Sequence, residues 1–387
     1  MNIYQEQMKK NEYETDADFW QSVSTLDPLN ASEKILALPR LNQRGDTTGI
    51  VSALVSILPT EACLSNWSDS QAAAAMRDIG LFLGSLKRHG MEPEEVIGEL
   101  SLILKKLGEK TCLPPRDTLL HYVLGNTGTQ LPLRTYTKFP KERILIEMTR
   151  SGYHALLSAM SPLKQLFHTS VCESRFSVQC EIIVECLNQL SHDLGVVYQK
   201  LGAEFFVKEI RPYFESIRVD GDEYLGPGAV GLPLFVIDQL LWSSCVDDAE
   251  YTGFKESHLA STLPTVRELY FSHKNKQAVV DRVIVELKQL VSYGYDRDAY
   301  TLVSTNLQSL NHIFKKLLSF RKPHLKLAQN AYQHTPEVRF EKGSGGYHPD
   351  ILIKVLNHTL AAERRLKQAQ QQFEQHAVAL NLNELKN

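Results

Sequence analysis

The chain has 387 residues, 43% hydrophobic and 22% charged, enough apolar material to bury a large core and to divide into two units. A formal charge of −3 without a basic stripe excludes the electrostatics of a nucleic-acid binder, and the longest apolar run, around Leu232 to Leu241, is too short to span a bilayer. Six cysteines, Cys63, Cys112, Cys172, Cys180, Cys186 and Cys245, form no C-x-x-C pair; read as reduced, mostly buried thiols on a chain without a basic-then-apolar leader, they point to the cytoplasm. Along the chain, helical periodicity dominates and strand alternation is scarce. Apolar spacing predicts helices over 30–38, 47–57, 69–88, 93–107, 141–167 and 178–201, with Asp69 as an N-cap and Gly90 as a stop. Turn residues cluster at 125–132, which divides a small N-terminal helical domain, 1–130, from a large ligand-binding helical domain, 131–387. Asp220-Gly221 predicts a hairpin within 218–224. Further helices are expected over 233–243, 249–271, 277–291, 296–320, 323–334 and 350–372, followed by a glutamine-rich tail that extends the last helix and frays. The fold class expected is all-α, and no repeat marks a solenoid.

Three stretches carry candidate chemistry. In Arg321-Lys322-Pro323-His324-Leu325-Lys326-Leu327-Ala328-Gln329-Asn330-Ala331-Tyr332, Pro323 has its φ fixed for a first helical turn, so His324 is expected near a helix start. At about 100° per residue, Ala328 and Ala331 share its face and leave room for a flat, wide ligand, such as a haem held through the imidazole. A lone helical histidine is equally at home in a core or on a surface. Tyr332 lies about 80° round the helix from His324 and can face the same cavity or bury its hydroxyl elsewhere. In Gly343-Ser344-Gly345-Gly346-Tyr347, glycines allow close backbone approach to a carboxylate, with the Ser344 hydroxyl beside them, although a plain turn has the same composition. Gly226-Pro227-Gly228-Ala229 can admit a ligand or simply separate two elements.

These stretches, with Ala72-Ala73-Ala74-Ala75-Met76-Arg77-Asp78-Ile79-Gly80 through Leu86-Lys87-Arg88-His89-Gly90, and with Arg211-Pro212-Tyr213-Phe214-Glu215-Ser216-Ile217-Arg218-Val219 and Tyr224-Leu225-Gly226-Pro227-Gly228-Ala229-Val230, resemble the monodechloroaminopyrrolnitrin synthase family. So does Pro233-Leu234-Phe235. The likeness implies a fold of the indoleamine and tryptophan dioxygenase type, haem b as cofactor, and a tryptophan or chlorinated tryptophan rearranged into an aminophenylpyrrole with dioxygen or peroxide as oxidant. It implies His324 as the iron ligand, Tyr332 and Ser344 near the substrate, and Gly345 and Gly346 completing the cofactor-side loop. It also places Gly228 and Ala229 in the roof over the iron. The chain departs from the family pattern at Leu124-Gly125-Asn126 and Gly231-Leu232, where the pocket can differ.

Other chemistries find little support. His121, His154, His168, His192, His258 and His312 stand singly, without the H-E-x-x-H spacing of a zinc site. There is no nucleophile elbow, phosphate loop or dinucleotide fingerprint. Glu92, Glu94, Glu95 and Asp247-Asp248 read as charges at helix N-termini. Lys87-Arg88, Lys105-Lys106 and Arg364-Arg365 read as solvated helix faces. Two other classes use the same sequence: a haem sensor or carrier without turnover, and a helical interaction protein without haem. No catalytic acid or base is assigned.

Overall fold

The computed structural model describes residues 16–228, 231–244, 246–333, 346–348 and 350–384, with the side chains of 17, 331–333 and 380–384 outside the description. The first helices are α1 (Asp16–Thr25), α2 (Ser32–Arg44), α3 (Thr47–Val55), α4 (Glu61–Asn66) and α5 (Asp69–Arg88). Helix α5 is the axis of the N-terminal half, because every residue from Ala72 to Leu86 is buried. Its cap is Ser68, one residue earlier than Asp69, and Ser68 and Gln71 exchange side-chain and backbone hydrogen bonds as a capping box. Gly90 stops the helix at φ +76°, with Met91 N–H donating to Leu86.

A buried Arg77 in such a helix must be fully partnered. Its guanidinium donates to Asp78 at 2.7 Å, to the Val23 and Leu26 carbonyls, and to the Gly125 carbonyl at 2.9 Å. Asp78 also accepts from Arg134, so one ion cluster ties α1, α5 and the turn after residue 125. Asn126 and Arg134, which flank the 125–132 turn, are themselves buried, and the apolar core continues from Trp20 to Phe373. Glycine is required at Gly80, where a Cβ would lie 2.3 Å from the Asp117 side chain.

Next come α6 (Pro93–Val96) and α7 (Leu100–Thr111), which correct the single helix expected over 93–107. Ile97 turns extended between them (φ −133°, ψ 99°). After a π-helical turn at Leu120–Leu124, the long α8 (Pro140–His168) and α9 (Arg175–Lys200) pack together. Phe176, Cys180, Ile183, Val184, Leu187 and Leu190 give α9 its core stripe at helical spacing. A short α10 (Ala203–Phe205) runs into a second π-turn, Phe206–Ile210.

The predicted hairpin forms from β1 (Ile217–Val219) and β2 (Asp222–Tyr224), antiparallel, with Val219 opposite Asp222. Asp220 and Gly221 take φ +50° and +83°, the left-handed pair that a two-residue turn needs. These are the only strands among the described residues. Helix α11 (Leu234–Asp238) continues directly into a third π-turn, Gln239–Ser243.

The stretch expected as one helix over 249–271 is two, α12 (Ala249–Leu259) and α13 (Pro264–His273). Pro264 forces Leu263 into an extended conformation (φ −58°, ψ 143°) and ends the first. Helix α14 (Val279–Tyr293) precedes α15 (Arg297–Gln333) and α16 (Asp350–Glu384), which packs on both. Helix α15 corrects the expected break at Pro323, for it runs 37 residues with that proline inside. Val303, Leu307, Leu310, Phe314 and Leu317 are buried along it, while Pro323 faces outward. Packing against α9 and α16 outweighs the roughly 3 kcal/mol that an interior proline costs. The architecture is all-α, as the periodicity predicts.

The thiols are less buried than expected. Of the five cysteines described, only Cys180 is buried; Cys63 and Cys172 are exposed, on a short surface helix and a turn, and Cys112 and Cys186 are half-buried. Cys245 lies outside the described residues. The basic pairs are mostly solvated, with Lys87 held to Glu92 and Arg365 to Asp281.

Candidate functional site

His324 lies deep in α15 instead of near a helix start, because the helix passes through Pro323. Its ring stacks on Phe320, one turn earlier, with centroids 5.4 Å apart and planes 19° from parallel. The residue is half-buried. Desolvation, with the Arg321 charge beside it, lowers its pKa to about 4. The imidazole is therefore neutral near pH 7 and has a lone pair available for a metal. Among the described residues, no group hydrogen-bonds either ring nitrogen, and no three His, Cys, Asp or Glu side chains converge as a metal-ligand group.

What fixes this segment is a buried polar brace that sequence reasoning missed. Arg321, one turn before His324, donates both to Thr359 on α16 and, at 2.5 Å, to the Asp238 carboxylate at the end of α11. Asp238 also accepts from the Trp242 indole N–H and the Tyr251 hydroxyl, each at 3.1 Å. Trp242 and Tyr251 stack at 5.9 Å with their planes 2° apart, and the Arg321 guanidinium lies 5.9 Å from the Trp242 ring centroid. The π-turn at Gln239–Ser243 carries Trp242. Lys255 clamps that turn from α12, donating to Gln239 at 2.6 Å and Ser243 at 3.2 Å with its ammonium over the Tyr251 ring. Burial lowers the Lys255 pKa to about 8. A signal was present: Asp238 is the lone acid within the apolar run 233–243, and such an acid needs a buried partner.

Helix α12 reaches from this brace to the glycine-rich stretches. At its start Asp248 caps Tyr251 and takes His358 and Lys354 from α16, which bears out the N-terminal-charge reading for Asp248. Hydrogen bonds, with the backbone amide of Tyr251 foremost, lower the Asp248 pKa to about 2. On the next turns Phe254 meets the Tyr347 ring edge-on at 5.2 Å, and the Tyr347 hydroxyl donates to Ser257 at 3.3 Å. Gly346 (φ +73°) sits against Leu225 so closely that a Cβ would lie 2.8 Å from its Cδ2. The end of the Gly343 to Tyr347 stretch thus meets the Leu225-Gly226-Pro227-Gly228 segment, whose Gly226 lies against the Phe214 carbonyl.

Of the predicted site residues, His324, Gly228 and Gly346 are described. Tyr332 belongs to α15 by its backbone, with its side chain outside the description, and Ser344, Gly345 and Ala229 lie outside the described residues. Gly346 and the segment ending at Gly228 come together, and α12 joins them to the helix that bears His324. A small cavity of about 10 Å³ lies elsewhere, among Arg77, Asp117, His121, Asn126 and Arg134, and shares no residue with this site.

The all-α fold agrees with a comparison against family models. The model described as monodechloroaminopyrrolnitrin synthase PrnB matches residues 20–381, which include α5, the hairpin, α12, α15 and nearly all of α16. A match over nearly the whole length, on a helical scaffold of the indoleamine and tryptophan dioxygenase kind, makes this chain a member of the monodechloroaminopyrrolnitrin synthase family, haem-dependent oxygenases that act on a tryptophan derivative.

Proposed function

We propose that His324 holds the iron of a haem b, with Gly345 and Gly346 at the cofactor edge. Ser344 and Tyr332 would then orient a tryptophan-type amino acid, and Gly228 and Ala229 would border its pocket. The observation that carries this reading is the brace from Arg321 through Asp238 to Tyr251, which fixes a neutral imidazole on a rigid helix. The donor set fits the group: a porphyrin brings four nitrogens of its own, so one unclustered imidazole is what the protein must add. When bound, the haem would supply activation of dioxygen or peroxide.

The chain's own residues bind, orient and exclude water. The aromatic part of the substrate gains most from burial, while the Ser344 hydroxyl and loop N–H groups set the direction of its carboxylate. The reaction we favour is rearrangement of the indole to an aminophenylpyrrole. We also propose the cytoplasm as its compartment, since Cys63, Cys172, Cys180 and Cys186 are in no disulfide. A division near residue 130 is a further proposal, in which the two units share one continuous core; limited proteolysis at 125–132 tests it.

The main test is titration of the haem-loaded protein with L-tryptophan and a chlorinated tryptophan, then product analysis by mass spectrometry with dioxygen or hydrogen peroxide. A saturable shift in the haem spectrum and an aminophenylpyrrole product are expected. A ring-opened, formylated product would replace the rearrangement with dioxygenase chemistry. A spectrum indifferent to both indoles would leave a sensor or carrier, and no haem uptake would leave a helical interaction protein.

A further inference from the structure

His121, on the π-turn Leu120–Leu124, is 1% exposed and bonded on one side only. Its Nδ1 accepts the Thr118 backbone N–H at 3.0 Å. A backbone amide can only donate, so Nδ1 carries the lone pair. Burial, with the Arg77 and Arg116 charges nearby, lowers the His121 pKa to about 3, so near pH 7 the ring is neutral and its one proton is on Nε2. Among the described residues Nε2 has no hydrogen-bond partner. A buried N–H left in that state has lost its hydration with nothing to offset the loss.

The space beside it is small and polar. The cavity of about 10 Å³ is lined by His121, Asp117, Asn126, Arg77 and Arg134, about the room that one water molecule takes. The charges in its wall select what can enter. Arg77 has given every N–H of its guanidinium to Asp78 and to the carbonyls of Val23, Leu26 and Gly125, so it offers an anion nothing. The Asp117 carboxylate, paired with Arg116, opposes an anion as well. The two guanidiniums and the His121 N–H oppose a cation. What remains is a neutral molecule that both accepts and donates. Partners for it are present. Arg134 spends two N–H groups on Asp78 and one on the Pro132 carbonyl, three of a guanidinium's five. Asp117, whose Oδ1 takes Arg116 at 3.1 Å, keeps acceptor capacity.

We propose that this cavity binds a single structural water, which accepts from His121 Nε2–H and Arg134 and donates to the Asp117 carboxylate. The water joins the π-turn Leu120–Leu124 to the Arg77, Asp78 and Arg134 ion cluster, and so completes the polar junction among α1, α5 and the 125–132 turn. The competing acceptor is the face of Trp20, whose ring meets the His121 ring at 5.2 Å with the planes 89° apart. An N–H aimed at that face would need no water.

The test is a crystal structure of the wild-type protein at a resolution that shows ordered water, with His121→Gln and His121→Asn beside it, and NMR of the histidine-labelled wild type in solution. The wild type should show one density peak about 2.7–3.2 Å from both His121 Nε2 and the Asp117 carboxylate, and a slowly exchanging Nε2 proton with a cross-peak to water. His121→Gln, whose amide reaches the place of Nε2, should keep the peak. His121→Asn, which ends at the place of Nδ1, should lose it. No peak in the wild type, or an Nε2 proton shifted by the Trp20 ring and without contact to water, overturns the proposal. So does a peak that gains anomalous signal on exchange into bromide, which would make the guest an anion. If neither variant folds, the wild-type density and the Nε2 proton decide between water and the Trp20 face.

Discussion

Asp238 shows how much of the site depends on single buried groups. Its carboxylate is 2% exposed and takes Arg321, Trp242 and Tyr251 as donors. Removing one partner of a buried pair leaves the other charge uncompensated, at a cost of about 3–5 kcal/mol. Arg321→Met should therefore lower the denaturant midpoint markedly, and an unchanged midpoint would show that the pair does not brace α15. At the residue level the sequence shows the motif around Arg321 but not what its side chain is tied to. Arg321 stands inside a motif legible in the sequence; its partner is 83 residues earlier, and nothing local pairs them. The Ser68 cap is more accessible, since Ser68 and Gln71 carry the spacing of a capping box. Both Ser68 and Asp69 make good caps, and that reciprocal pair is what selects Ser68. Ser68→Ala should cost about 1 kcal/mol, measured by chemical denaturation, and no loss would mean that the box adds nothing in this context.

At the scale of elements, periodicity locates nearly every helix because a core-facing stripe is a local pattern. Where it fails, tertiary packing or proline geometry decides. Pro323 has the local features of a helix start, but the aliphatic stripe from Val303 to Leu317 and the anchored Arg321 carry α15 through it. Pro264, by contrast, holds Leu263 extended and separates α12 from α13. The three π-turns at Leu120–Leu124, Phe206–Ile210 and Gln239–Ser243 have no sequence signature, and π-bulges often mark functional sites. Since Pro323 points outward and forfeits a helical hydrogen bond, Pro323→Ala should stabilise the protein by about 1–3 kcal/mol. A lower midpoint would mean that the proline's local geometry is needed to aim His324.

Over the whole molecule, charge buried in a mostly apolar interior sets the response to acid. Burial holds the pKa of His121 at about 3 and those of His258 and His324 at about 4, all below the ordinary 6.5. Below pH 6.5 the unfolded chain gains protons that the fold does not, so stability falls as pH drops from 6.5 toward 4. Glu142 acts in the opposite sense. Burial raises its pKa to about 7 despite bonds from Tyr122, Tyr136 and Thr137, so acidification relieves its penalty between pH 7 and 4.5. Glu142, with Asp117 raised in the same sense, offsets part of what the three histidines lose on acidification. Unfolding of the haem-free protein should accordingly be easier at pH 5 than at pH 7, and a flat profile would contradict the buried neutral histidines. Composition and pattern make the all-α class legible, but the candidate site joins residues 225 to 359 from four helices and the segments between them, which only the folded chain brings together. His324 carries the central claim. The measurement that tests it is the optical spectrum and haem stoichiometry of His324→Ala beside wild type after identical haem loading. A folded variant that loses stoichiometric haem is the predicted result, and full retention of the wild-type spectrum would contradict the assignment.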